Sequence, residues 1–410
     1  FTPELARATG KPIVLIQNGI HSGEIEGKDA TLALLRDISV TKRLERLADS
    51  VIVLVLPIFS VDAHERRSRW NRINQNGPDE MGWRANPIGL NLNRDYMKAE
   101  SPEMQALLAN LYTRWWPHVL VDNHTTDGAD YQHDLTYSVN HGPTTPRAID
   151  RWMREAVSGR IVERTRAQGH LTSPYLSFRN GYDPRSGIVE WAAPGRFSHG
   201  YPPLHGRAAI LTETHMRKPY ATRVKATYDF LVAILEELNA RPRELTRAVA
   251  ASEAEIVARG READPKRRDV ALTSGITDSA DTFPYRGYVT RWEKSDISGG
   301  IVPRYTTTPW DTVVPFYRQL RPTLTVRQPA GYVVPQEWTV VRRVLDLHGV
   351  RWRRFARAWS DTVEVPRIAQ WRAADGFEGH RPIEVSQVEL VPRRRAYRPG
   401  DLWVPLDQPQ

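Results

Sequence analysis

The stretch Gln17-Asn18-Gly19-Ile20-His21-Ser22-Gly23-Glu24 decides how the first half of this chain is organised. An apolar run at residues 11–16 precedes it and a helix-periodic run at residues 25–38 follows it, which predicts a buried strand, a turn and a helix. His21 and Glu24 are three positions apart, so one helical turn brings their side chains to the same side. An imidazole and a carboxylate in this arrangement are typical zinc ligands, although a glutamate that starts a helix also interacts favourably with the helix dipole.

Further apolar segments predict the other strands of a mostly parallel sheet, at residues 50–57, 118–122 and 208–212. The segment at residues 50–57 is the more apolar kind of strand that parallel sheets bury on both faces. Helical patterns separate them, at about residues 101–115, 146–168 and 222–239. The alternation predicts an α/β fold, and such sheets bind ligands at the carboxyl ends of their strands. His124 and Glu213 each follow one of these strands closely. We therefore expect both residues to lie near His21 and Glu24.

These residues together indicate metal-assisted hydrolysis. A catalytic zinc has three protein ligands and a position open to water, and His21, Glu24 and His124 supply that number. The chain has no cysteine, so any metal must be held by such side chains. Glu213 is the candidate general base, because a carboxylate beside the metal can take the proton of an attacking water. The alternative is a structural pairing of Glu213 with Arg217.

Other chemistries find less support in the sequence. No serine lies in a G-x-S-x-G motif, and no dinucleotide-binding glycine motif follows the first strand. The remaining histidines, a set that includes His199, are by base rate mostly surface or hydrogen-bonded core residues. No segment reaches the ~18 consecutive apolar residues of a membrane helix.

The composition predicts more than one domain. A length of 410 residues suggests two or three, and after about residue 270 short β-prone runs replace the alternation of strands and helices, with one helix at about residues 339–348. We predict a catalytic domain at residues 1–265 and a smaller β-rich accessory domain at residues 266–410. The second segment carries 23 Lys and Arg against 16 Asp and Glu, most of the net charge of +9. That excess suits an anionic partner or reflects a GC-rich genome.

These residues resemble the zinc carboxypeptidase family typified by carboxypeptidase A, over about residues 13–213. The motifs that carry the resemblance are, in chain order, His21 to Glu24, Arg72 to Asn74, Gly89 to Tyr96, His124, Tyr182 and Glu213. The resemblance implies the carboxypeptidase fold, with a mixed, mostly parallel sheet flanked by helices. It also implies one zinc ion per chain held by His21, Glu24 and His124, and a metallopeptidase activity that removes C-terminal residues from peptides.

The resemblance also implies how a substrate binds. Arg72 would polarise the scissile carbonyl, and Asn93 and Arg94 would bind the terminal carboxylate. An arginine fork binds a carboxylate bidentately and stays charged at any pH, which agrees with that role. The implied residues that close over and line the side-chain pocket are Tyr182, Val189 and Glu190.

The sequence departs from the family pattern at several places. Asn91 stands where the family usually has an aspartate that orients the first histidine, and residues 78–88 and 195–206 enlarge loops near the substrate. Phe1 lies 20 residues before His21, so we expect strands that open the family's sheet to be missing. Any signal peptide is expected outside this sequence, and a periplasmic or secreted location is expected from the resemblance.

Two alternatives to a carboxypeptidase remain open. One is a zinc amidohydrolase or deacylase that acts on a small N-acyl amino acid. The other is a catalytically inactive protein that binds peptides or polyanions through its basic C-terminal third. Nucleic acid is not an expected partner, because no array of stacking aromatic residues accompanies the charge.

Overall fold

The structure, a computed structural model, describes residues 2–181 and 183–409. Its strands, numbered in chain order, are β1 Ile13–Asn18, β2 Ile52–Leu56, β3 Val119–Thr126, β4 Leu135–Ser138, β5 Thr172–Pro174, β6 Phe178–Asn180, β7 Asp183–Val189, β8 Ala208–His215, β9 Asp269–Ile276, β10 Asp281–Lys294, β11 Ile301–Tyr317, β12 Leu320–Arg327, β13 Gly331–Val334, β14 Arg353–Arg354, β15 Trp359–Ala373, β16 Ile383–Tyr397 and β17 Leu402–Pro405.

The α-helices are α1 Pro3–Ala8, α2 Glu26–Ser39, α3 Val61–Glu65, α4 Pro102–Leu107, α5 Thr113–Trp115, α6 Arg147–Trp152, α7 Val162–Ala167, α8 Tyr201–Leu204, α9 Tyr220–Ala240, α10 Pro242–Arg261 and α11 Thr339–Leu347. Segments of π-helix at Leu108–Tyr112 and Met153–Ile161 join α4 to α5 and α6 to α7, so each pair forms one of the long helices that the sequence predicts. Within the described ranges, none of these helices is both long and apolar enough to cross a membrane.

The main sheet has six strands in the order β2-β1-β3-β8-β4-β5. The pairs β2–β1, β1–β3, β3–β8 and β4–β5 are parallel, and β8–β4 is antiparallel. This is the mixed, mostly parallel α/β sheet that the sequence predicts, so the fold class is confirmed.

Alternate side chains of β1 enter two different cores. Val14 and Ile16 pack in a cluster with Phe230 of α9, whereas Leu15 belongs to a cluster with Tyr96 and Tyr201 on the other face of the sheet. This follows from the period of two along a strand. Both faces of the sheet are therefore covered, and the open carboxyl ends of its parallel strands are where a site can form.

The sequence-based prediction for β2 was wrong in one respect. The apolar segment at residues 50–57 predicts a strand buried on both faces, but all five residues of β2 are partly exposed. The reason is topological, since β2 is an edge strand with β1 as its partner.

The strands β3 and β8 run further than predicted. His124 and Glu213 lie inside these strands and not after them, because the parallel pairing continues past the apolar residues. Hydrogen bonds between polar side chains stabilise this extension: Asn123 Nδ2 donates to Asn18 Oδ1 at 2.7 Å, and Thr212 Oγ1 donates to Asn123 Oδ1 at 2.6 Å.

The C-terminal region is rich in antiparallel strands, as predicted, and α11 occupies the predicted helix at 339–348. Its strand β11 pairs with β10 and also, in parallel, with β7, which gives a four-stranded sheet in the order β10-β11-β7-β6. The remaining sheets are β12-β9, β13-β17-β14 and β15-β16. The C-terminal region thus shares a sheet with a strand of the N-terminal region, and the boundary at residue 266 stays a prediction.

Candidate metal centre and substrate cavity

His21, Glu24 and His124 converge where β1 ends and β3 passes beside it. Each offers one ligand atom, these atoms all lie within 4.8 Å of one another, and all three residues are buried. His21 Nδ1 is 3.2 Å from Glu24 Oε1, and His124 Nδ1 is 2.9 Å from Glu24 Oε2. Two ligands of a tetrahedral zinc ion, each ~2.1 Å from the metal, are about 3.4 Å apart. The two His–Glu separations are near this value, so the three side chains are placed where they could hold one zinc ion.

Glycines allow the turn that carries the first two of these residues. Gly19 has a φ of +64°, which turns the chain out of β1 at no steric cost. A Cβ atom on Gly23 would lie 2.7 Å from Arg72 Nε and 2.9 Å from the Gly82 carbonyl oxygen. Glycine at this position lets the Arg72 side chain approach the site.

Both histidines are oriented by a second hydrogen bond. His21 Nε2 is 3.0 Å from Asn91 Oδ1, and His124 Nε2 is 2.7 Å from Asp122 Oδ2. With a metal ion on the Nδ1 side, the acceptor at Nε2 would hold the ring proton there and leave the Nδ1 lone pair for the metal; in both rings Nδ1 faces Glu24. Burial disfavours the charged form of His124, but the Asp122 carboxylate outweighs it and raises the pKa of His124 well above its usual range.

Glu213 faces this centre from the neighbouring strand. It is the register partner of His124 in the β3–β8 pair and lines the same cavity, and its Oε2 atom has no hydrogen-bond partner among the described residues. Burial raises the pKa of Glu213 well above its usual range, and the nearby Glu24 carboxylate adds to the effect. The alternative pairing with Arg217 is not formed, because Arg217 Nε lies 3.2 Å from Asp130 Oδ2.

Arg72 contacts the centre directly. Its Nη2 pairs with Glu24 Oε1, and its side chain is 14% exposed. Burial alone would raise the pKa of Glu24, but the charges of Arg72 and His21 hold it well below its usual range. Glu24 is therefore a carboxylate at neutral pH, as a metal ligand must be.

One cavity of about 830 Å³ brings the predicted site residues together. Within the described residues it is lined by all of the predicted ones, namely His21, Glu24, Arg72, Asn93, Arg94, His124, Val189, Glu190 and Glu213. Tyr182 lies outside the described residues.

The Asn93–Arg94 pair is held in place by the loop at residues 195–206. The Ser198 N–H donates to Asn93 Oδ1 at 2.8 Å, and the Arg94 guanidinium lies 4.0 Å from the centre of the Phe197 ring. Burial and the nearby Arg84 lower the pKa of Arg94 to about 10, so it stays charged near neutral pH. A fixed guanidinium and amide at the cavity wall form a site suited to a carboxylate.

The far wall of the cavity involves the C-terminal region. The Glu190 N–H donates to the Tyr317 carbonyl oxygen at 2.8 Å, and Glu190 Oε2 lies 3.5 Å from His141 Nε2. A second cavity of about 680 Å³ shares Ser138 and Glu190 with the first and is also lined by residues of the C-terminal region, Arg318 included. The strands after residue 266 thus help to shape the surroundings of the pocket.

The sequence did not single out several residues of this cavity. Arg84 Nη1 lies 3.4 Å from His21 Nδ1, and the Tyr175 hydroxyl is 3.1 Å from Thr126 Oγ1. His199 lines the cavity and is buried, and its ring nitrogens have no hydrogen-bond partner among the described residues, so it is an exception to what is expected for most of the histidines. Arg84 lies in the enlarged loop at residues 78–88 and His199 in the one at residues 195–206. The enlargement of these loops near the substrate was the sequence feature that could have pointed to both residues.

Comparison with known proteins gives a family match over part of this chain. Residues 2–154 match the family described as zinc carboxypeptidase, a range that includes the candidate ligands and the Asn93–Arg94 pair. The match covers less than half of the chain and shows a similarity to the zinc carboxypeptidase family.

The similar proteins are distant. A probable carboxypeptidase 2 of Arthroderma benhamiae is 20% identical over 96% of this chain and 71% of its own length, and carboxypeptidase 2 of Trichophyton rubrum is 19% identical over 96% and 69%. A metallo-carboxypeptidase from Pseudomonas aeruginosa is 17% identical, with a TM-score of 0.41, over 57% of this chain and 58% of that one. The chain thus spans less than two thirds of that solved structure.

Proposed function

We propose that this chain is a zinc-dependent carboxypeptidase that removes C-terminal residues from peptides, with one zinc ion bound by His21, Glu24 and His124. The observation that carries the proposal is the position of Glu213, which is opposite His124 on the next strand and faces the buried His-Glu-His set across one cavity. A candidate metal-binding set and a carboxylate with one oxygen that has no hydrogen-bond partner among the described residues, in one cleft, are the parts that hydrolysis of an amide by water requires.

A bound zinc ion would supply an acidified water and polarise the substrate carbonyl. In this proposal Glu213 acts as general base and then as general acid. Its carboxylate accepts a proton from the attacking water and passes that proton to the nitrogen of the leaving amine. A bound divalent cation would favour the ionised form of Glu213, because an opposite charge nearby stabilises the carboxylate. The Oε2 atom of Glu213, which has no hydrogen-bond partner in the described part of the chain, supports this role.

The arginines would bind the two polar ends of the substrate. Arg72 would donate to the scissile carbonyl oxygen as negative charge develops there. Arg94, with the amide of Asn93, would bind the terminal carboxylate, since the Phe197 ring and the Asn93 carbonyl fix the guanidinium at the cavity wall. Val189 and Glu190 would contact the side chain of the last residue, and Tyr182 keeps the role of closing over the substrate as a prediction.

The proposal is tested by incubating the zinc-loaded protein with a peptide that has a free C-terminus and detecting the released residue by mass spectrometry. We expect stepwise loss of C-terminal residues and none from a His124→Ala variant. Metal analysis should give close to one zinc per chain for the wild type. If the zinc-loaded protein bound peptides and released nothing, the inactive peptide-binding alternative would replace this proposal.

We also propose an exported location, periplasmic or secreted, from the family resemblance. Cell fractionation with the natural gene, upstream sequence included, tests it, and recovery in the cytoplasm alone would contradict it.

A further inference from the structure

The strands β15 and β16 form an antiparallel ribbon, and the tip of this ribbon contacts residues 91–100 near the candidate site. The two strands form a sheet of their own, and most of their residues are exposed. At the tip, Glu378 Oε1 accepts a hydrogen bond from the Asn91 N–H at 2.9 Å, and Glu378 Oε2 lies 3.6 Å from Lys98 Nζ. A second tip contact joins His380 Nε2 to Glu100 Oε1 at 2.9 Å. The tip thus contacts the segment that contains Asn93 and Arg94, the proposed binding pair for the terminal carboxylate, called the clamp below.

The turn at the tip has an unusual residue for its geometry. Phe377 and His380 exchange backbone hydrogen bonds of 2.9 and 3.0 Å, and the two residues between them, Glu378 and Gly379, have φ values of 49° and 78°. Two positive φ values are typical of a type I′ hairpin turn, whose first position favours asparagine, aspartate or glycine. A glutamate there is therefore not explained by the turn.

The side chain of Glu378 provides the explanation. It is only 9% exposed, although it projects from an exposed ribbon. It also lies near Arg94 and Lys98, which places a negative charge beside these cations. A strained backbone that is held by a buried, hydrogen-bonded side chain is characteristic of a functional constraint.

Asn91 links this contact to the candidate metal centre. The Asn91 backbone N–H is bonded to Glu378, while its side-chain Oδ1 lies 3.0 Å from His21 Nε2 and accepts from the Asn93 N–H at 3.0 Å. Asn91 therefore orients both His21, a candidate ligand, and Asn93, the first residue of the clamp. The backbone contact with Glu378 therefore restrains the residue whose side chain contacts His21.

We propose that Glu378 is a positioning residue of the catalytic site, supplied by the C-terminal region: by holding the Asn91 backbone it sets the orientation of His21. The inference rests on the proposed function, in which His21 is a zinc ligand. In this proposal the ribbon of β15 and β16 contributes to catalysis through Glu378, which lies 287 positions after Asn91 in the sequence.

The chain offers matched variants for a test. Glu378→Asn suits the type I′ turn better than glutamate but is too short to reach Asn91, whereas Glu378→Gln keeps the reach and the acceptor oxygen. His380→Asn removes the other tip contact, which does not involve Asn91. We expect Glu378→Asn to raise the zinc dissociation constant by about 3- to 10-fold in a chelator competition, below the ~10- to 100-fold typical of a direct partner of a ligand. The kcat should fall by a similar factor while KM changes little.

Glu378→Gln and His380→Asn should stay within about 2-fold of the wild type in both measurements. In an Asn91→Ala background, Glu378→Asn should have no further effect, because the route to His21 is already broken. If Glu378→Asn and His380→Asn changed the zinc dissociation constant and kcat equally, Glu378 would only help to attach the ribbon tip. That result would overturn the proposal. A rise in KM alone, with zinc affinity unchanged, would overturn it as well.

A readout without metal separates this inference from the proposed function. In metal-free protein, the backbone amide hydrogen of Asn91 should exchange faster in the Glu378→Asn variant than in the wild type, because this N–H group loses its acceptor. Unchanged exchange would overturn the inference whether or not zinc binds. A different outcome is a wild type that binds no zinc, together with faster exchange of the Asn91 backbone amide hydrogen in the Glu378→Asn variant than in the wild type. That result would overturn the proposed function and leave the link between Glu378 and Asn91 in place.

Discussion

His124 and Glu213 are register partners on the adjacent parallel strands β3 and β8. Neighbouring strands lie about 4.8 Å apart, and paired residues point to the same side of the sheet, so the two side chains enter the cavity together. Asp122 lies two positions before His124 on the same face and bonds its other ring nitrogen. A rigid sheet thus fixes a candidate ligand, its orienting carboxylate and a candidate base, which is the support that a catalytic site requires.

The first prediction concerns Glu213. Glu213→Gln keeps the shape of the side chain but cannot accept a proton, so kcat should fall by about 10²- to 10⁴-fold, with zinc content and KM nearly unchanged. Steady-state kinetics and metal analysis measure these quantities. Glu190→Gln, at another carboxylate in the same cavity, is the control and should keep far more of the kcat. A Glu213→Gln enzyme with near-normal turnover would show that the assigned base is wrong.

The second prediction concerns Asp122. Asp122→Asn removes the negative charge beside His124 Nε2 and lowers the basicity of this proposed ligand, so the zinc dissociation constant should rise by about 10- to 100-fold. Competition with a chromophoric chelator measures it. Asp127→Asn, at an exposed aspartate of the same cavity wall, should leave zinc affinity unchanged. Equal zinc affinity in Asp122→Asn and the wild type would contradict the orienting role.

The third prediction concerns the clamp. Since charge-assisted hydrogen bonds contribute about 1.5–3 kcal/mol each, amidating the C-terminus of a peptide should lower kcat/KM by at least about 100-fold. In an Arg94→Met variant the free peptide should lose a similar factor, whereas the amidated peptide should change much less. Peptide hydrolysis followed by mass spectrometry measures both. Equal turnover of free and amidated peptides would favour the amidohydrolase alternative.

The sequence predicts the sheet and the main site residues because they depend on local patterns. The apolar run before His21 and the one before His124 each predict a strand of the α/β sheet, and the rule that such sheets bind ligands at strand ends then places these residues together. It misjudges where β3 and β8 end. The polar pairs that extend them, such as Asn18 with Asn123, gain their stability from contacts across strands and not from neighbours in sequence.

Contacts between distant segments could not be predicted from local patterns. The pairing of β7 with β11 and the bond between Glu378 and Asn91 depend on how long ribbons fold back, which hydrophobic periodicity does not encode. His199 illustrates the same limit: a base rate for histidines places it in the surface or core, whereas the enlarged loop at residues 195–206 carries it to the cavity. Such residues are recognised only once the tertiary structure is known.

The last prediction concerns pH and the His118 side chain, which joins β3 to β1. His118 Nδ1 accepts a hydrogen bond from the Ile13 N–H at 3.1 Å, and burial, with a contribution from the nearby Arg207 charge, lowers the pKa of His118 to about 4. The unfolded chain binds the proton near pH 6.5, so this residue's contribution to stability is complete above about pH 6.5 and is lost as the pH falls towards 4.

His118→Asn places an acceptor oxygen near the position of Nδ1 and does not titrate. Its free energy of unfolding should therefore fall less between pH 7 and pH 4 than that of the wild type, by up to roughly 3 kcal/mol at ~1.4 kcal/mol per pKa unit. Urea unfolding at several pH values, with chelator present so that metal release does not contribute, measures this difference. The same pH dependence in the variant and the wild type would show that His118 does not destabilise the fold in acid.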